Sequence, residues 1–84
     1  MTAKESVAPV FENALDLLDQ KQKLYEDSWE GVSCRSCIKE CLSKAKYLEH
    51  DILHGASSES LRENFLDLVN WAAFGYLSCS KEVE

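Results

Sequence analysis

The sequence predicts an all-α protein of three helices, since apolar residues recur every three or four positions and no segment alternates with a period of two. Two glycines, Gly31 and Gly55, fall between the periodic segments and mark their boundaries. We therefore expect a single domain over residues 1–84, with residues 1–7 frayed. The short connection between the second and third helices predicts that they form a long antiparallel hairpin.

The first helix is expected to run from Ala8 to Tyr25, because Pro9 suits the first turn of a helix. Its apolar residues recur at helical spacing, at Val10, Phe11, Ala14, Leu15, Leu18 and Tyr25. The second helix is expected from Cys34 to His54, with Ser33 as its N-cap and Gly55 as its C-terminal cap. Its apolar stripe comprises Cys34, Ile38, Cys41, Ala45, Leu48 and Ile52.

The third helix is expected to begin after a cap at Ser57 or Ser58 and to run to about Ser78. It is apolar on two faces, along Leu61, Phe65, Leu68, Ala72 and Tyr76 and along Leu66, Val69, Ala73 and Leu77. A chain of 84 residues is marginally stable as a monomer. We therefore expect another copy of the chain to complete the core, giving a homo-oligomeric helical bundle.

Three polar residues cross this apolar helix in one line, because Glu63, Asp67 and Asn70 are spaced three and four apart. Burying a carboxylate or an amide without a partner costs a few kcal/mol, so these groups need partners. One interpretation is a Mg²⁺ held by Asp67 and Glu63. A second is that Asp67 and Asn70 bind the base or ribose of a ligand.

A structural interpretation of the same residues has equal weight. In it, Asp67 pairs with Lys44 or Lys46 on the neighbouring helix, and Asn70 satisfies the irregular loop at Trp29.

A local basic segment stands out in this chain of net charge −6, which argues against binding of duplex nucleic acid. Arg35, Lys39, Lys44 and Lys46 lie on the second helix, a distribution that favours a small anion such as a phosphate. The alternative is an ordinary solvated helix face.

Aromatic residues near this basic segment can stack on nucleobases, or they can simply pack in the core. We favour the core for Trp71 and leave both interpretations open for Trp29.

The four cysteines, at positions 34, 37, 41 and 79, are expected to be reduced thiols in the cytoplasm. We see no signal peptide in residues 1–10, and the longest apolar run is too short for a membrane span, so we expect no membrane partner. A zinc site of Cys34, Cys37 and Cys41, completed by His50, His54 or Cys79, is the minor alternative, because these cysteines fall within a helical pattern.

Residues 23–50 and 59–77 together resemble the nucleotide modification associated domain 1 family, small all-α proteins common in phages. The likeness lies in Lys23, Tyr25, Ser28 and Trp29, in Lys44 and Lys46, and in Asp67 and Asn70 followed by an aromatic residue. The family is distantly similar to all-α NTP pyrophosphohydrolases, which require Mg²⁺. This chain lacks their dense acidic cluster, since Glu40, Glu63 and Asp67 are scattered.

The resemblance implies a phage or bacterial protein that handles nucleotides. We expect a non-enzymatic nucleotide-binding protein with no cofactor, working in the bacterial host cytoplasm and sequestering a cyclic nucleotide signal of host defence. The predicted ligand-binding residues are Tyr25, Trp29, Lys39, Lys44, Lys46, Asp67 and Asn70. The alternatives are a small Mg²⁺-dependent nucleotide pyrophosphohydrolase, acting through Glu40, Glu63 and Asp67, and a structural or protein-binding helical module.

Overall fold

Three helices make up the structure, a computed structural model that describes residues 1–25 and 31–82, with side chains described for 1–21 and 31–79. They are α1 (Ala3–Tyr25), α2 (Cys34–Leu53) and α3 (Ser58–Glu82). The described ranges contain no strand, so the predicted all-α class is confirmed. No helix within them is long and apolar enough to cross a membrane.

The first helix begins at Ala3, earlier than the predicted Ala8, and Pro9 lies inside it. The reason is a capping box that the prediction overlooked. The Glu5 backbone N–H donates to Thr2 Oγ1 at 3.2 Å, and the Thr2 hydroxyl donates to Glu5 Oε1 at 3.0 Å. A Thr and a Glu three residues apart are a typical helix start, and this pair starts the helix before the proline.

Both ends of α2 confirm the predicted caps. Ser33 Oγ accepts from the Ser36 backbone N–H at 3.1 Å. At the other end Gly55 has φ +74°, and the Ala56 N–H donates to the Asp51 carbonyl at 2.9 Å. This left-handed residue and its long backbone hydrogen bond form a Schellman motif, which ends the helix at Leu53, one residue before the predicted end.

Ser57 caps α3, since its Oγ accepts from the Ser60 N–H at 3.1 Å. The helix continues to Glu82, past the predicted end near Ser78. Ser78 is itself buried, and its hydroxyl donates to the Val32 carbonyl at 2.9 Å, which ties α3 to the residues just before α2.

The third helix packs closely against α2 and also contacts α1. Near the start of α2, a Cβ added at Gly75 would lie 3.2 Å from the Cys37 Cβ, so the missing side chain lets α2 and α3 approach closely. At the end of α2, Asn64 Nδ2 donates to Asp51 Oδ2 at 3.4 Å. Contacts at both ends of α2 thus hold it along α3.

The buried apolar core of the described residues is small: Ala14, Leu17, Cys37, Leu48 and Phe74. Several residues of the predicted stripes are instead exposed, among them Phe11, Leu15, Ile38, Ile52, Phe65 and Tyr76. Ala14 and Leu48 belong to the predicted stripes, whereas Leu17, Cys37 and Phe74 lie beside them. The domain therefore leaves much of its apolar surface open to solvent.

Candidate functional site

The centre of the candidate site is a charged cluster in which one carboxylate meets two lysines from two other helices. Asp67 of α3 is only 7% exposed. Lys21 Nζ of α1 lies 2.9 Å from Asp67 Oδ1 and 3.0 Å from Oδ2. Lys44 Nζ of α2 lies 3.7 Å from Oδ2. This cluster, Lys21–Asp67–Lys44, joins all three helices at one point.

The two lysines of the cluster differ in how they contact the carboxylate. Lys21 donates to both carboxylate oxygens, whereas the 3.7 Å separation from Lys44 is too long for a hydrogen bond. The Lys21 and Lys44 side chains are 25% and 30% exposed, against 10% for Asp67. Solvent therefore still reaches both ammonium groups while the carboxylate itself is buried.

Lys21 was missed by the sequence reasoning, although a signal for it exists. It follows Ala14 by seven residues and Leu17 by four, so it continues the face of α1 that is buried against α3. A lysine at the end of a buried face needs a carboxylate partner. Of the two partners that were predicted for Asp67, Lys44 is close to the carboxylate and Lys46 is exposed on α2.

Asn70 is buried and contacts α1, whereas its predicted partner, the loop at Trp29, lies outside the described residues. Its Nδ2 donates to the Ala14 carbonyl at 3.0 Å. Asn70 lies one turn after Asp67, so both polar residues use α1 as their partner. Trp29 and the side chain of Tyr25 lie outside the described residues.

The predicted lysines of α2 do not share one surface. Lys39 and Lys46 are seven residues apart and exposed, whereas Lys44 is directed to Asp67. Lys46 lines a shallow pocket of about 390 Å³, together with Ser43, Tyr47 and His50. The predicted phosphate contacts therefore divide into one half-buried lysine and an exposed row.

Glu63 lies apart from the charged cluster, in a cleft of about 590 Å³ between α1 and α3 that Asp16 and Arg62 also line. Glu40 is exposed on α2. Among the described residues, no group of three His, Cys, Asp or Glu side chains is placed to hold a metal ion.

All four cysteines are thiols, and they line one apolar groove of about 510 Å³ between α2 and α3. Burial raises the pKa of the Cys41 thiol, with smaller contributions from Cys37 and Glu40 nearby. The two histidines are not among the groove residues; their rings stack on each other, with centroids 4.0 Å apart. This groove is an apolar surface that carries thiols.

Comparison with known proteins gives no match: no family model matches the chain, and neither does any curated protein or solved structure.

Proposed function

We propose that this chain is a non-enzymatic nucleotide-binding protein of phage type, which holds the phosphate groups of its ligand at the Lys21–Asp67–Lys44 cluster. One observation carries the proposal: a buried carboxylate holds the positive charges of two half-exposed lysines, from two different helices, at one point. A phosphate oxygen is a strong acceptor for an ammonium group and would neutralise that charge.

The role of Asp67 in this proposal is to position the lysines. Both of its oxygens already accept hydrogen bonds from Lys21, so they are poorly placed to bind a base or a ribose. The Asn70 amide likewise donates to the Ala14 carbonyl. The direct ligand contacts are therefore assigned to Lys44, assisted by Lys21.

Further contacts would come from the exposed row of Lys39 and Lys46, which can accept a second phosphate. Stacking of the base on Tyr25 and Trp29 stays a prediction from the sequence. A ligand with two phosphates and flat bases, such as a cyclic dinucleotide of host defence, fits this set of contacts, and sequestration of such a signal is the use we propose.

The proposal includes an antiparallel α2–α3 hairpin and a homo-oligomer. The contacts of α2 with α3 support the hairpin, because Cys37 meets Gly75, Lys44 meets Asp67, and Asp51 meets Asn64. Residue numbers rise along α2 as they fall along α3. The small core and the exposed apolar residues support assembly with further copies.

The test begins with mass spectrometry of the nucleotide released when the purified protein is denatured. Calorimetry against cyclic dinucleotides and NTPs then measures affinity. We expect Lys44→Ala to weaken binding at least tenfold, and Lys4→Ala, an exposed lysine near the start of α1, to leave it unchanged. Absence of binding to the whole panel, or equal affinity of the two variants, contradicts the proposal.

Assays on the same purified protein distinguish the proposed binder from the hydrolase and from a structural module. Release of pyrophosphate or phosphate with Mg²⁺, lost in Asp67→Asn, would establish the hydrolase. A protein that neither binds nor hydrolyses nucleotides would be a structural or protein-binding module, for which the exposed apolar surface is the favouring observation.

A further inference from the structure

One exposed stripe of α3 has the spacing of a coiled-coil seam. Phe65, Val69, Ala72 and Tyr76 follow one another at intervals of four, three and four residues, which is the spacing of a and d positions. Phe65 is 50% exposed and Tyr76 is 77% exposed. We call these four residues the α3 seam.

Apolar grooves flank the seam on both sides, and Ala72 lines both of them. The α2-side groove includes Ile38 and Leu42. The α1-side groove, also about 510 Å³, includes Phe11 and Leu15. The seam is therefore a ridge between two grooves, and none of the described residues that line them is charged.

The seam lies away from the charged cluster. Ala72 follows Asp67 by five residues, which places them about 140° apart around the helix axis. Lys21 and Lys44 meet at Asp67 on the inner side of α3, so the outer side carries the seam.

The total surface is too large for a compact monomer of this mass. The chain exposes 6615 Å². A folded monomer of 9.5 kDa is expected to expose roughly 5,000 Å². The excess of roughly 1,600 Å² per chain, or roughly 3,200 Å² for two chains, is within the range of permanent homodimer interfaces.

We propose that the α3 seam and its two grooves are the interface with a second copy of this chain, packed α3 against α3 about a two-fold axis. This inference rests on the homo-oligomer included in the proposed function, and it names the face. A ridge between two grooves is self-complementary under a two-fold rotation, because each ridge can enter a groove of the other copy. The small Ala72 side chain lets the two helices approach closely.

Charge also favours a second copy over a membrane. Two chains of net charge −6 repel each other least where they meet through an uncharged face. Anionic lipid surfaces attract apolar faces that are flanked by lysine and arginine. The net charge of −6 opposes that attraction over the chain as a whole, and Arg35 and Lys39, beside Ile38 of the α2-side groove, are the local exception.

Analytical ultracentrifugation in ligand-free buffer tests the interface. We expect the wild-type chain to sediment at twice its mass or a multiple of that. Ala72→Lys is expected to weaken self-association at least 100-fold, because each dimer would bury two like charges, one lysine from each copy, that face each other. Ala3→Lys is the matched control: Ala3 is exposed at the start of α1, eight residues before Phe11, and lines neither groove, so self-association should not change.

If Ala72→Lys loses its helical circular dichroism, the variant is unfolded and cannot test the interface, and a second pair of variants then tests it. Leu42→Gln alters a groove residue, and Leu53→Gln alters an exposed leucine that lines neither groove. Only Leu42→Gln should weaken the dimer.

A monomeric wild type overturns the proposal. It is also overturned if, in both pairs, the interface variant and its control self-associate equally. Flotation with vesicles of neutral or anionic lipid, in place of self-association, overturns it as well. Nucleotide binding is measured separately by calorimetry, so a dimer that binds no nucleotide would refute the ligand alone.

Discussion

Removing the Lys21 ammonium while keeping its aliphatic length is the sharpest perturbation of the charged cluster. In Lys21→Met, Asp67 stays 7% exposed and loses the hydrogen bonds to both of its oxygens. Lys44 remains at 3.7 Å, too far to replace them. The variant therefore leaves a buried carboxylate without a hydrogen-bonded cation.

The expected cost follows from this burial. Removing one partner of a fully buried ion pair costs about 3–5 kcal/mol. Because the Lys21 side chain is 25% exposed, solvent screens part of the interaction, and we expect about 2–3 kcal/mol in the free energy of unfolding. Asp67→Leu should cost less, about 1 kcal/mol, because leucine suits the buried position and both lysines can extend into water.

Urea unfolding followed by circular dichroism measures these differences at one fixed protein concentration. With a slope of about 1 kcal/mol per molar urea, Lys21→Met should lower the midpoint by about 2 M. Lys4→Met, an exposed lysine, should change stability by less than about 0.5 kcal/mol. A Lys21→Met variant as stable as this control, or less destabilised than Asp67→Leu, would refute the reasoning.

Two further predictions concern the helix boundary and the thiols. Gly55→Ala should destabilise the chain by about 1 kcal/mol in urea unfolding, because φ is +74° there. Gly31→Ala should not, because the φ of Gly31 lies outside the left-handed region and an added Cβ would be equally free of contacts at both glycines. Equal effects would contradict the Schellman motif. Alkylation with iodoacetamide, read by mass spectrometry, should modify exposed Cys79 first and buried Cys37 last. Since the pKa of Cys41 is raised, its thiol stays protonated at higher pH than an exposed thiol, so its alkylation should lag behind that of Cys79. Because the pKa of Cys41 is higher in the folded chain than in the unfolded chain, the protonated thiol contributes to the free energy of unfolding below its unfolded-state pKa. That contribution is lost as pH rises through its folded-state pKa.

The cysteine pattern shows where sequence reasoning was sound. Cys34, Cys37 and Cys41 were placed within a helix, and the structure has them on α2 as thiols. Helical periodicity and capping residues act locally, so short-range spacing is sufficient to predict them.

The start of α1 shows where a local signal was present but overlooked. Thr2 and Glu5 form a capping box that can be seen in the sequence. The predicted start at Ala8 was based on Pro9 instead. Pro9 lies six residues after Ala3, beyond the first turn, so the helix continues through the proline although its ring nitrogen cannot donate a backbone hydrogen bond.

The partners of Asp67 and Asn70 could not be obtained from the sequence. Helical spacing shows that the two residues share a face, and desolvation shows that they need partners. It does not show which helix supplies them, because Lys21 lies 46 residues away along the chain and the Ala14 carbonyl lies 56 away. That choice depends on how α1 crosses α3.

The sequence by itself determined three helices, three of their caps, and a third helix too apolar to be covered by one neighbour. Each of these features depends on residues within a few positions of one another. Only the tertiary structure decided that Lys21 holds Asp67, that Asn70 contacts α1, and that Phe65 on the outer face of α3 is half exposed. These depend on the relative orientation of whole helices, which packing across long sequence separations sets.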